Sequence, residues 1–258
     1  MPKFLSFYGL YFNFLVLLYS LNCPAWPCLA DIISLSQTTF IPNRCIAENI
    51  LLAQELVKNY QRAKGVPKCA ITVDLMKAYD SIPCDFILQC LSAVGVPAIF
   101  VDWVRECISS ASFSIALNGS LVGDFKGGKG LRQGDRLSSY LSVLGMEVFT
   151  RIMHCKVQEA EDFKFHPNDL LILSATKVNS IKVIELGIEE FRGFSGLHAN
   201  PFKSEIFFGG VLNSLKESIL NIVMFKKGHL PVRYLGVPLI PGKLRYQDCL
   251  LLLEKITC

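Results

Sequence analysis

The sequence has no Cys-x-x-Cys pair although it carries ten cysteines, which weighs against a zinc ribbon or a thioredoxin-type redox site. The cysteines stand singly at 23, 28, 45, 69, 84, 90, 107, 155, 249 and 258, most of them inside apolar stretches. A thiol there behaves as a small buried hydrophobe, so a reducing compartment is expected. Low-complexity tracts and internal repeats are also missing, which excludes collagen-like and compositionally biased classes. Charge is sparse: 19% of residues are charged against 51% hydrophobic, so the 258-residue chain is expected to fold around a sizeable core. The basic excess is small as well. A formal charge of +4 and a pI near 8.5 permit a nucleic-acid partner without requiring one.

Residues 4–21 form an uncharged apolar run preceded by Lys3 and followed by Asn22-Cys23-Pro24. By pattern this is either a signal peptide or short membrane span, or unrelated sequence joined to an older coding segment by a broken reading frame. From residue 31 the texture is that of a globular domain. Ile50, Leu51, Leu56 and Val57 predict a helix over 48–60, ended by Val66-Pro67. The β-branched run at 69–75 predicts a buried strand that delivers Asp74 at its carboxyl end. Two helices follow at 86–94 and 99–108. Alternation around Asn118-Gly119 then predicts a hairpin over 113–125, because that dipeptide readily adopts the positive φ angles of a tight turn. A Gly-rich basic loop at 126–130 leads into a long helix over 138–154, and a strand at 170–174, a helix over 181–191 ended by the glycines at 193 and 196, and a strand at 205–208 complete the order. The mixture predicts an α+β fold, with helices packed on one face of a small antiparallel sheet.

Five segments carry the chemistry in chain order: Gln37-Thr-Thr-Phe-Ile-Pro-Asn-Arg44, Val73-Asp-Leu-Met-Lys-Ala-Tyr-Asp-Ser81, Gly130-Leu-Arg-Gln-Gly-Asp135, Ser195-Gly-Leu-His-Ala-Asn200 with Lys203-Ser204, and Tyr234-Leu-Gly-Val-Pro-Leu239. Together they closely resemble the ordered motifs of reverse transcriptases (RNA-directed DNA polymerases) of plant LINE-type, non-LTR retrotransposons. The resemblance runs from about residue 31 to the C-terminus and implies a polymerase palm with part of the fingers. Its domain division is a hydrophobic leader at 1–30, partial fingers at 31–70, palm at 71–240, and a remnant of the thumb at 241–258.

The resemblance also implies roles. Asp74 and Asp169 are the expected metal-binding and catalytic carboxylates of a two-Mg²⁺ site, which activates a primer hydroxyl and stabilises in-line displacement at phosphorus. Tyr79 is expected under the nucleotide sugar, Gln133 and Gly134 along the incoming nucleotide, and Arg132 and Arg44 near phosphate or template. Lys203 is expected to protonate leaving pyrophosphate. The implied partners are an RNA template, a DNA primer and deoxynucleoside triphosphates, in the nucleus or cytoplasm. Taken singly, each of these side chains has a plainer reading as a turn aspartate, an aromatic anchor or a solvated cation.

The family pattern breaks at one acidic pair. The sequence reads His166-Pro-Asn-Asp-Leu-Leu-Ile-Leu173, so Asn168 stands where a carboxylate is expected and Pro167 where a small residue is expected. An amide coordinates a cation through its carbonyl but brings no charge, so metal binding should be impaired. The segment between His154 and His166 is short, and Arg136 and Ser139 replace family prolines, which should loosen the turn before the long helix. The expectation is a degenerate, truncated copy that no longer synthesises DNA. The alternatives are a catalytically silent nucleic-acid-binding remnant, or a membrane-anchored or secreted protein because of residues 4–21.

Overall fold

The computed structural model describes residues 32–38, 40–41, 44–57, 67–110, 112–158, 165–168, 170–235 and 237–242. The apolar leader and the C-terminal segment from 243 lie outside the described residues, and so does Asp169. The elements in order are α1 (Ile46–Val57), β1 (Lys68–Thr72), a short α2 (Ala78–Ser81), α3 (Cys84–Ala93), α4 (Ala98–Ser109), β2 (Ser112–Leu117), β3 (Ser120–Lys126), α5 (Arg136–Gln158), β4 (Phe165–Asn168), β5 (Leu171–Ala175), α6 (Val178–Ser195), β6 (Glu205–Gly209), α7 (Asn213–Val223), β7 (Lys226–Lys227), β8 (Val232–Tyr234) and β9 (Val237–Leu239).

Apolar periodicity places most of these elements. The Asn118-Gly119 turn has φ angles of 51° and 83°, as the β2–β3 hairpin requires. Gly196 ends α6 in the left-handed region at φ 65° and donates its N–H to the Arg192 carbonyl, the expected glycine stop. The turn before α5 is closed in spite of the missing prolines, since Asp135 Oδ1 accepts from the Leu137 amide at 3.0 Å as an N-terminal cap.

The central sheet has the order β4-β5-β1-β6-β7, with β1 at its centre, antiparallel to both β5 and β6. It differs from the expected antiparallel sheet at one edge, where β7 joins β6 in parallel. The cause is topological: α7 carries the chain across between β6 and β7, and a crossover returns a strand in the same direction.

Both faces of the sheet are covered, which extends the expected one-sided packing. On one face Cys69, Ile71, Ile172 and Ile206 meet α3, α5, α6 and α7. Edge-to-face contacts of Phe191 with Phe149 (5.2 Å between centroids) and Phe86 (6.3 Å) knit α6 to α5 and α3. On the other face Ala70, Leu171, Leu173 and Phe207 pack against Ala53 and Val57 of α1 and Tyr234 and Leu239 of β8–β9. Gln54 seals this layer, donating Nε2 to the Ile240 carbonyl (2.8 Å) and accepting the Ile240 amide at Oε1 (3.2 Å). A strand with opposite faces in two separate cores reads as a nearly continuous apolar run, and the sequence of β1 does so.

The six described cysteines at 45, 69, 84, 90, 107 and 155 are free thiols. Among the described residues, no helix is long and apolar enough to cross a membrane.

Candidate functional site

Asp74 lies two residues past the end of the central strand, where the main chain is held from both sides. On the β5 side, the Val73 amide donates to the Leu170 carbonyl at 3.0 Å. On the β6 side, the Asp74 amide donates to Ser204 Oγ at 3.0 Å, the Asn200 amide donates to the Asp74 carbonyl at 2.6 Å, and the Met76 amide donates to the His198 carbonyl at 2.8 Å. Asp74 is half-buried, and its main-chain N–H and C=O are both satisfied.

The β4–β5 hairpin reaches the same place. Asn168 ends β4 and pairs with Leu171, and Leu171 in turn pairs with Thr72. Leu170 takes φ 65°, a left-handed conformation that costs a non-glycine residue energy and turns the chain tightly beside Val73. The hairpin end is thereby adjacent to the Asp74 segment. β4 is a four-residue strand paired along its length with β5, so a strand does feed this hairpin despite the short preceding segment.

The segment 198–204 folds on itself below Asp74. Asn200 Oδ1 accepts from the Phe202 amide at 3.0 Å, and the Asn200 carbonyl accepts from the Lys203 and Ser204 amides. This buries Ser204 completely and leaves Lys203 exposed. Ser204 is a positioning residue, fully buried and holding the Asp74 amide, to which the resemblance assigns no role. Its signal was its place in the Lys203-Ser204 motif at the mouth of an apolar strand.

A second cluster surrounds Tyr79. After Asp74 the chain reverses through Lys77, at φ 44°, into the short α2. The half-buried Tyr79 accepts a hydrogen bond at its hydroxyl from Ser142 Oγ of α5 at 3.1 Å, and its carbonyl accepts from the Leu131 amide at 2.6 Å. The Gly130 amide donates to the Ile82 carbonyl at 2.8 Å, and Gln133 Nε2 donates to Asp80 Oδ1 at 3.3 Å. The loop carrying Arg132, Gln133 and Gly134 is thus stitched along the 79–83 segment. Gly130 is required for this approach: its φ is 94°, and a Cβ there would lie 3.0 Å from the Asp80 carbonyl oxygen.

Beside this loop lies a cavity of about 480 Å³, whose walls include Asp80, Cys107, Lys129, Arg132 and Gln133. The Cys107 thiol in that wall is pushed above its ordinary value by burial and by Asp135, with Arg132 opposing.

Arg44 stands apart from both clusters in what it holds. Its guanidinium donates to the carbonyls of Ser34 (2.5 Å), Gln37 (2.6 Å) and Ile33 (2.8 Å), tying Arg44 to the 33–37 loop. That loop is anchored to α5 by the buried Glu147, which accepts from the Ser34 amide and from Arg151, both at 2.9 Å. The structure therefore brings Asp74, the end of the Asn168 hairpin and the Lys203 turn together, and sets Tyr79 beside the Arg132–Gln133–Gly134 loop. Among the described residues, no three or more His, Cys, Asp or Glu side chains converge as a metal site.

Asp74 thus stands past the end of the central strand, flanked by the β4–β5 hairpin end and the 198–204 turn. The chain belongs to the reverse transcriptase (RNA-dependent DNA polymerase) family, whose model matches residues 22–239, and its α+β fold is that of the family domain. It is 30% identical over 121 residues, 47% of its length, to the transposon TX1 uncharacterised 149 kDa protein of Xenopus laevis. It is 29% identical over 173 residues, 65% of its length, to the retrovirus-related Pol polyprotein from type-2 retrotransposable element R2DM of Drosophila melanogaster. A third relative is the Pol polyprotein from type-1 retrotransposable element R2 of Popillia japonica, 28% identical over 105 residues and 40% of the chain. The matches cover 9%, 16% and 17% of those proteins' own lengths.

Proposed function

We propose that this chain is the reverse transcriptase domain of a plant LINE-type, non-LTR retrotransposon, a degenerate copy that retains nucleic-acid binding and has lost processive RNA-templated DNA synthesis. The observation that carries this reading is the convergence at Asp74: the strand end, the hairpin closed by Asn168 and Leu170, and the Lys203 turn meet through hydrogen bonds at 3.0 Å or less. In the proposed arrangement residues 31–70 are partial fingers, 71–240 the palm and 241–258 a thumb remnant, and the protein acts inside the cell, in the nucleus or cytoplasm.

Asp74 is proposed as a metal and catalytic carboxylate, with Asp169 as its partner. Tyr79, locked by Ser142, is proposed to lie under the nucleotide sugar, with Arg132, Gln133 and Gly134 along the base and phosphates. Lys203 is proposed to meet pyrophosphate. Arg44 is proposed to act indirectly, by shaping the loop beside template or nucleotide while its guanidinium holds backbone carbonyls.

The donor set proposed for the two cations is one carboxylate short, because Asp74 and Asp169 are carboxylates and position 168 is not. Asp74 supplies a carboxylate, while position 168 supplies only an amide, whose neutral carbonyl replaces a charged oxygen ligand. Two Mg²⁺ ions each require several oxygen ligands, and loss of a negative one weakens both affinity and the charge stabilisation that such sites contribute.

Filter binding of an RNA template annealed to a DNA primer tests the binding half of the proposal. The expected result is salt-sensitive retention that is the same with and without Mg²⁺. Absence of retention, or retention that depends wholly on Mg²⁺, contradicts it. The competing reading, a membrane-anchored or secreted protein, rests on residues 4–21; recovery of a tagged chain in the membrane fraction after carbonate washing would favour it.

A further inference from the structure

We infer that Phe202, Lys226 and Lys227 form a contact for single-stranded nucleic acid, in which a base stacks on Phe202 and flanking phosphates meet the two lysines. The inference rests on the reverse-transcriptase reading above and adds a strand contact that the motif residues do not supply. Phe202 is the most conspicuous aromatic of the site region, 74% exposed at a turn directly before Lys203 and Ser204. A large ring left in water forgoes burial, and here the backbone holds it there: the Phe202 amide is tied to Asn200 Oδ1 and the two following amides to the Asn200 carbonyl. Such a turn fixes the backbone that presents the ring, so that only side-chain rotamers remain to be ordered on binding.

Lys226 is fixed beside it by an independent feature, the parallel β7 strand, in which Lys227 is the next residue. The Lys226 amide donates to the Ser204 carbonyl at 3.2 Å and the Gly228 amide to the Ile206 carbonyl at 2.9 Å. Gly228 lets this edge lie tightly on the sheet, because a Cβ there would come within 2.3 Å of the Phe207 ring. Lys226 and Lys227 are both exposed, and Lys226 Nζ stands 5.7 Å from the centroid of the Phe202 ring. A cation over one face of the ring, with most of the residue still open, leaves room for a second planar partner.

The chemistry favours a single strand over other polyanions. Unpaired bases offer flat π-faces between phosphates, and aromatic rings set among cations recognise that alternation without reading sequence. An acidic peptide would use the lysines but not the ring. The patch runs directly into Ser204, whose hydroxyl holds the Asp74 amide, so a strand seated on it passes beside the candidate catalytic carboxylate.

The test is fluorescence anisotropy of the full chain with labelled oligothymidylate and with an abasic strand of equal length, across a salt series. Phe202→Ala should weaken binding to the base-bearing strand by roughly 5- to 150-fold and barely change binding to the abasic strand. Phe202→Trp should retain binding, and Lys226→Gln and Lys227→Gln should each lower the slope of log affinity against log salt by about 0.7. Equal binding by the natural chain and Phe202→Ala overturns the inference. So does an equal loss on both strands, which would mark the ring as structural. A chain that holds the RNA–DNA primer–template but neither single strand overturns this inference alone, whereas a chain that binds none of them overturns the nucleic-acid reading with it.

Discussion

Replacing Gly130 by alanine probes how the nucleotide-loop candidate is held against the Tyr79 segment. The residue has φ 94°, a region that costs an alanine on the order of 1–3 kcal/mol. Its new Cβ would meet the Asp80 carbonyl oxygen at 3.0 Å and the Asp80 Cα and carbonyl carbon at 3.2 Å. All three are backbone atoms, so no side chain can swing aside. The loop must move outward, stretching the bonds from the Gly130 amide to Ile82 (2.8 Å) and from the Leu131 amide to Tyr79 (2.6 Å), each contributing about 1 kcal/mol. The combined cost is roughly 2–4 kcal/mol, or about 4–16 °C in Tm for a domain of this size. Differential scanning calorimetry should show this for Gly130→Ala and not for Gly128→Ala, whose Cβ meets nothing within 4 Å. Melting temperatures within a degree of one another for the two variants would refute the reasoning.

Ser204→Ala removes the fully buried hydroxyl that holds the amide of the half-buried Asp74, so urea unfolding should show a loss of roughly 1–3 kcal/mol, against no loss for Ser218→Ala on the exposed face of α7. Burial pushes the Cys69 thiol up to about 12 and the Cys90 thiol up to about 11, while Cys45 and Cys155 are exposed. Mass spectrometry after brief iodoacetamide treatment at pH 8 should find label on Cys45 and Cys155 and none on Cys69 or Cys90. Because the folded pKa values lie above the ordinary value of 9.0, the stabilisation they represent is complete below about pH 9 and is lost as pH rises through 11 and 12. Urea midpoints should therefore fall from pH 9 upward, and flat midpoints over that range would contradict the buried placement.

The elements with strong period or turn chemistry were legible in the sequence: β1 as an apolar run, the Asn118-Gly119 hairpin, and α6 with its glycine stop at 196. Four features were not. Strand β4 contains Pro167, which reads against a strand, yet β4 is an edge strand where proline is tolerated. The two-residue β7 is too short to have a period and exists because α7 returns the chain to β6. The covering of the second sheet face depends on α1 and β8–β9, which are distant in sequence and joined by Gln54, a residue with no local signal for that role. Helix α7 has a clear apolar stripe through Ile219 and Val223, but its meaning emerges only with the sheet it crosses. The site was legible in its motifs and not in its supports, since Ser204, Ser142 and Gly130 act through contacts 130, 63 and about 50 residues away in the chain.

The central claim is that Asp74 sits in a reverse-transcriptase site disabled by the missing charge at position 168. Primer extension on an RNA template, with Mg²⁺ or Mn²⁺, tests it most directly when run on the natural chain, Asp74→Asn and Asn168→Asp, beside calorimetric metal titration of the same three proteins. Losing one ligand of a site that supplies several kcal/mol of transition-state stabilisation lowers the rate by orders of magnitude. The account predicts no extension by the natural chain or Asp74→Asn, tighter metal binding by Asn168→Asp, and no processive synthesis by any of them. Extension at a readily measured rate by the natural chain, abolished by Asp74→Asn, would contradict the loss of activity while leaving the family assignment in place.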